Sequence, residues 1–204
     1  MNRRSTGTYK RAVAVFRGHG GMLHASAAVE YGIHPRTLYE MRDCKEIVQV
    51  SRGVYRLASL PALGNPDLVS VAVRAPRGVV CLISALAFHE ITTQISREVH
   101  IAIPRDTKGP RLEYPPIRVF VFSGKAYTEG IETRQLDGVP VKIYSPEKTL
   151  ADCFKYRNKI GMDTAIEAVR LYRQRRPVKV AEIMRYARIC RITRVIQPYL
   201  ESLL

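Results

Sequence analysis

The stretch from Leu23 to Leu57, LHASAAVEYGIHPRTLYEMRDCKEIVQVSRGVYRL, limits the possible folds more than any other part of the chain, because its hydrophobic spacing changes partway along from a helical repeat to strict alternation. Leu23, Ala27, Ala28 and Tyr31 share one helical face, and Tyr31-Gly32-Ile33 is the sharp turn that follows. Pro35 opens a second helix, since its fixed φ and missing N–H suit the first helical position. The apolar stripe of that helix is Leu38, Met41 and Cys44, which leaves Arg36, Thr37, Tyr39, Glu40 and Arg42 pointing outward. Beyond Lys45, Ile47 to Val50 and Val54 to Leu57 alternate around Ser51-Arg52-Gly53, a β-hairpin with an arginine at its tip. Two helices, a tight turn and a hairpin are the outline of a winged helix-turn-helix.

A reading helix must present donors from its N-terminal outward face to base edges in a major groove, and a wing must reach phosphate or minor groove. On that basis Arg36, Thr37, Tyr39 and Glu40 are the base-reading candidates, and Arg42, Arg52 and Arg56 the phosphate or minor-groove candidates. Helix-turn-helix units also serve as protein-docking or structural modules; here the basic outward face and the arginine-tipped hairpin favour DNA.

The charge balance agrees. Lys and Arg total 33 against 18 Asp and Glu, a net +15, which calls for a polyanionic partner: nucleic acid first, an anionic membrane surface second. The four cysteines, Cys44, Cys81, Cys153 and Cys190, show no paired spacing, so each is expected to act as a small buried apolar residue in a reducing compartment rather than as a metal ligand. No apolar run reaches the length of a membrane span and the N-terminus lacks the apolar core of a signal peptide, so a cytoplasmic location is expected.

Along the chain, residues 1–7 are expected to form a basic arm and Thr8 to Arg17 a short helix. Ser59 to Asp67, rich in Pro, Gly and Asn, marks the boundary between a DNA-binding domain at 1–60 and a second domain at 61–204. In the latter, a helix near Asp67 to Ala72 precedes a buried helix from Val79 to Ile91. Strands follow from Val99 to Ile103, Ile117 to Phe122, Gly130 to Leu136 and Val139 to Tyr144, the last two joined by the hairpin signal Asp137-Gly138. Ser145-Pro146-Glu147 is a helix start, and the remainder is helical, with Arg170, Arg173, Arg175, Arg176, Lys179, Arg185, Arg188, Arg191 and Arg194 forming either a polyanion surface or a solvated face. The expected class is α+β, with a small, mainly antiparallel sheet after the winged unit.

Taken together, SRGVYRL at Ser51 to Leu57, ISALAFHEITT at Ile83 to Thr93, a strand ending Ile103-Pro104-Arg105, and DGVPVKIYSPEKTLADCF at Asp137 to Phe154 resemble the antitoxins of AbiE-type abortive-infection systems, over nearly the whole chain. The resemblance implies a bacterial phage-defence repressor whose winged helix binds inverted repeats upstream of its own operon. It implies a second domain that antagonises a nucleotidyltransferase-like toxin in a type IV arrangement, with no stable toxin complex required. In that family the DNA-contacting face maps here to Pro35 through Lys45 and to the wing around Arg52. One departure is that many winged units have a glycine between reading helix and wing, where this chain has Arg42-Asp43-Cys44-Lys45, which leaves the helix end open.

Catalysis and cofactors are not expected. The residues that suggest them are His89, His100 and Asp106-Thr107-Lys108 with Glu98 upstream, a faint metal-dependent nuclease pattern. Ser84 is expected to bond its own helix and His89 to be a satisfied helix-end histidine. A regulator with no toxin partner is the other alternative.

Overall fold

The computed structural model describes residues 3–110, 112 and 114–203, and the chain divides into two compact units. The first contains Met1–Pro76, Pro110–Pro115 and Arg134–Val141; the second contains Arg77–Gly109, Pro116–Thr133 and Lys142–Leu204.

The first unit runs α1 (Arg3–Gly18), β1 (Met22–His24), α2 (Ala25–Glu30), α3 (Pro35–Asp43), β2 (Ile47–Ser51), β3 (Val54–Leu57) and α4 (Pro66–Arg74). Helix α1 begins at Arg3, so residues expected in a loose arm are helical; Met1 and Asn2 lie outside the described residues. Leu23, expected on a helix, lies instead in β1, which pairs antiparallel with β3. Gly20 and Gly21 adopt φ of 71° and 77°, which reverses the chain after α1 and lays Met22–His24 beside the hairpin as a third strand. His24 then immediately precedes α2, its Nδ1 2.7 Å from Ser26 Oγ. Phe16, Ala28, Leu38, Met41 and Ile47 fill the core of this unit. Helix α3 ends at Asp43, and Lys45 takes φ 60°, the left-handed conformation that a glycine would otherwise supply. Cys44, expected in the apolar stripe, is exposed.

Helix α4 packs on β1, β2 and β3, so the first unit extends past residue 60 to Pro76. Its partition also includes the Asp137-Gly138 turn, both residues left-handed at φ 51° and 82° as a two-residue type I′ hairpin requires. The Asp137 carboxylate accepts the Gly64 N–H at 3.1 Å, and a Cβ on Gly20 would stand 1.9 Å from the Gly138 carbonyl oxygen. Gly20→Ala is therefore expected to lower stability by more than about 2 kcal/mol, from backbone clash plus left-handed strain, measured as a shift of the urea midpoint.

The second part of the chain runs β4 (Val79–Val80), α5 (Leu82–Phe88), β5 (Val99–Pro104), β6 (Ile117–Phe122), α6 (Lys125–Thr128), β7 (Ile131–Leu136), β8 (Val139–Tyr144), α7 (Pro146–Lys155), α8 (Arg157–Ile160), α9 (Met162–Arg175), α10 (Val180–Ile189) and α11 (Thr193–Leu203). The α+β class is as expected. The five-stranded sheet, in order β6-β5-β4-β8-β7, is mixed rather than mainly antiparallel: β4 runs antiparallel to β5, while β4 with β8 and β5 with β6 are parallel. The long connection from Arg105 to Pro116 gives the chain room to return and start β6 in the same direction as β5. Val79-Val80, expected to open a helix, is a buried strand, because a short apolar run satisfies either period.

Helix α7 begins as its sequence indicates, with Ser145 Oγ accepting the Lys148 N–H at 3.2 Å. Every residue from Pro146 to Phe154 is buried, under α5, α9 and α10. The charged Lys148 and Asp152 are thereby enclosed one helical turn apart, Lys148 Nζ donating to the two carboxylate oxygens at 2.6 and 2.5 Å. The Cys190 thiol donates to Asp152 Oδ1 at 3.4 Å, and the ammonium stands 4.4 Å from the Tyr144 ring centroid. Burial pushes the Asp152 carboxyl above its usual range, with Lys148 opposing.

Candidate nucleic-acid interface

Helix α3 presents two different faces. His34 caps it, with Nδ1 3.2 Å from the Arg36 N–H, and Pro35 occupies the first turn. Thr37, Leu38 and Met41 are buried. Thr37 therefore does not face solvent as a base-reading residue; it lies with Arg11, Ala12 and Val15 of α1 along a groove between the two helices. The outward face consists of Arg36, Tyr39, Glu40, Arg42 and Asp43. Arg36 Nε donates to Glu40 Oε1 at 2.9 Å, an exposed i,i+4 pair. Arg42 donates to Asp43 Oδ1 at 2.8 Å and its guanidinium stands 5.3 Å from the centre of the half-exposed Tyr39 ring. Such solvent-exposed pairs contribute little, so a phosphate or base edge competes for either arginine at small cost.

At the wing, Arg52 is exposed and Gly53 has φ 73°. The Arg52 carbonyl accepts Arg74 Nη1 at 2.7 Å, and the Gly53 carbonyl accepts the Ala25 N–H at 2.7 Å. Arg56, expected at phosphate, is only 7% exposed: β3 is the central strand between β1 and β2, and its guanidinium turns back to donate to the Leu60 and Pro61 carbonyls. Arg56→Met is thus expected to cost about 1–3 kcal/mol of stability by leaving those carbonyls unpaired, with nonspecific DNA affinity unchanged once unfolded protein is discounted, as urea unfolding and anisotropy titration together would show. Sequence reasoning missed Arg74 and His24 at the wing. Arg74 lies beyond the segment recognisable as a winged unit, and His24 falls in a stretch whose apolar spacing predicts a helix.

Residues 10–58 match the family model described as transcriptional regulator, AbiEi antitoxin. The likeness to AbiEi antitoxins holds over these residues. It spans α2, α3 and both wing strands and stops before α4. No curated protein matches the chain. Among solved structures, the crystal structure of the RV2827C protein from Mycobacterium tuberculosis superposes with a TM-score of 0.53 at 14% identity, over 97% of this chain and 80% of that one. At that identity the likeness is one of fold.

Elsewhere the chemistry is mostly internal. His89 Nε2 lies 2.7 Å from the Tyr144 carbonyl, a satisfied helix-end histidine. Ser84 bonds not to its own helix but across to β5, where its Oγ accepts the His100 N–H at 2.8 Å. His100 is buried with Nε2 3.3 Å from Glu98 Oε1, and burial, only partly opposed by Glu98, lowers its pKa. Glu98 also faces Arg118 at 3.5 Å, and Asp106 is exposed in the turn after β5. Among the described residues no group of three or more His, Cys, Asp and Glu is placed to hold a metal ion, and no helix is long and apolar enough to cross a membrane.

The nine basic residues from Arg170 to Arg194 are all exposed, but several are engaged. Arg173, Arg175 and Arg176 donate to the carbonyls of Leu203, Glu90 and His89, Lys179 pairs with Glu147, and Arg185 with Glu129 and Glu182. Arg170, Arg188, Arg191 and Arg194 make no side-chain hydrogen bond or ion pair among the described residues.

Proposed function

We infer that this chain is a cytoplasmic DNA-binding autorepressor and the antitoxin of an AbiE-type, type IV system. The observation that carries this reading is the outward face of α3, with Arg36, Tyr39, Glu40 and Arg42 set beside an arginine-tipped wing, in the segment that matches AbiEi regulators. Helix α3 enters the major groove of inverted repeats upstream of the operon, Arg36 and Tyr39 meet base edges with Glu40, and Arg42 and Arg52 hold phosphates. The net charge of +15 supports duplex DNA as the partner, and the internal bonding of much of the C-terminal basic face leaves α3 and the wing as the main contact. The residues from 61 onward antagonise a nucleotidyltransferase-like toxin without forming a stable complex, a role that rests on the family likeness.

Co-expression tests the two halves separately. A neighbouring nucleotidyltransferase-like gene is induced with the full chain or with its Arg36→Ala/Arg52→Ala variant. Rescue of growth by both, with repression lost only in the variant, supports the reading. No rescue by either leaves a regulator without a toxin partner.

A further inference from the structure

We propose that Arg74 of α4 is a positioning residue for the wing, holding the turn that carries Arg52 through simultaneous bonds to the Arg52 carbonyl and to the His24 ring. The inference rests on the DNA-binding reading above and assigns a part to a residue outside the segment shared with AbiEi regulators.

The turn is gripped from two sides. Arg74 Nη1 lies 2.7 Å from the Arg52 carbonyl and 2.9 Å from His24 Nε2, and the Ala25 N–H holds the Gly53 carbonyl from β1 and α2. Gly53 makes this approach possible: a Cβ there would stand 3.1 Å from His24 Nε2 and 3.4 Å from Arg74 Nη1. A guanidinium has no acceptor, so Nε2 must be the unprotonated nitrogen. The proton of neutral His24 then sits on Nδ1 and is donated to Ser26 Oγ, 2.7 Å away.

This arrangement works only while His24 is neutral. A second proton would sit on Nε2, pointing at Arg74, and would replace a hydrogen bond with the repulsion of two cations. Burial and the Arg74 charge accordingly lower the His24 pKa from 6.5. Arg74 faces His24 from α4 and Ser26 from α2, while Gly53 faces it from the wing; no carboxylate contributes to the shift. Since the folded pKa is the lower one, the grip is complete above about pH 6.5 and is lost as pH falls below that value through the folded pKa. Wing order, and with it the Arg52 contact to DNA, should weaken in acid.

The test measures affinity of the full chain for its own upstream DNA by fluorescence anisotropy from pH 8 to pH 5.5, alongside hydrogen exchange of the wing amides in residues 51–54 without DNA. Wild type is expected to lose roughly fivefold in affinity and to gain wing exchange below about pH 6.5. His24→Gln, whose amide oxygen accepts from Arg74 but does not titrate, is expected to keep its affinity with a flat profile. Arg74→Met should show fast wing exchange and reduced affinity at every pH. Wild-type exchange at the wing in Arg74→Met, or an unchanged pH profile in His24→Gln, overturns the proposal. Because exchange is read without DNA, a chain that prefers no DNA site refutes the DNA-binding reading while the Arg74 grip is still judged by the amides.

Discussion

Lys148→Met is expected to lower the stability of the chain by about 3–5 kcal/mol, the largest effect of any single substitution considered for the second unit. Lys148 and Asp152 are both fully buried, and the substitution leaves the Asp152 carboxyl with, among the described residues, only the Cys190 thiol as side-chain hydrogen-bond donor in a core of Phe122, Tyr144 and Phe154. The unfavourable term is that of an uncompensated charge removed from water, not the loss of an attraction as such. Lys148→Met/Asp152→Leu, which removes both charges and keeps comparable volume, is therefore expected to recover most of the loss. Urea unfolding of the three proteins decides the matter: a double variant no more stable than Lys148→Met would show that volume and packing, not charge, govern the site.

Arg36→Ala is expected to weaken binding to the preferred site by ten- to a hundredfold while leaving nonspecific affinity within about twofold, because a side chain that reads a base edge adds affinity only where the right base is present. Arg52→Ala should instead weaken specific and nonspecific binding together, by about fivefold, and make the salt dependence shallower by about one unit of slope, the signature of one lost phosphate contact. The structure supports this division. The Arg36 side chain is 83% exposed on the N-terminal turn of α3 and pairs with Glu40, whereas Arg52 stands on a turn whose carbonyls are held by Arg74 and Ala25. Competition titrations with operator and random duplexes over a salt series check both variants, and equal losses on both duplexes in both variants would contradict the assignment.

The winged unit was legible because its signals are local. Gly32, Pro35 and Gly53 each dictate a backbone conformation, and Leu38 with Met41 marks the buried side of α3 whatever lies around it. What escaped depends on partners distant in sequence. Thr37 looks outward by helical spacing, but α1 covers it. Arg56 looks like a basic wing residue until β1 joins the other side of β3 and folds its guanidinium onto Leu60 and Pro61. Leu23 fits a helical stripe and a strand equally well, and the choice falls to Gly20 and Gly21, whose left-handed turn sets its direction. In the second unit the same ambiguity hid β4, while the parallel pairing of β5 with β6 has no local signal at all. The Ser145 cap of α7 was readable from three residues; that Lys148 and Asp152 are buried together was not, because an i,i+4 Lys–Asp pair is ordinarily a surface feature.

The most direct measurement for the whole account is a footprint of the purified full chain on the DNA upstream of its own gene, carried out with wild type and with Arg36→Ala. The account predicts protection of an inverted repeat by wild type at moderate salt and loss of that protection in the variant. Uniform, salt-sensitive coverage with no preferred site, the same in both proteins, would contradict it and reduce the charge of the chain to a general affinity for polyanions.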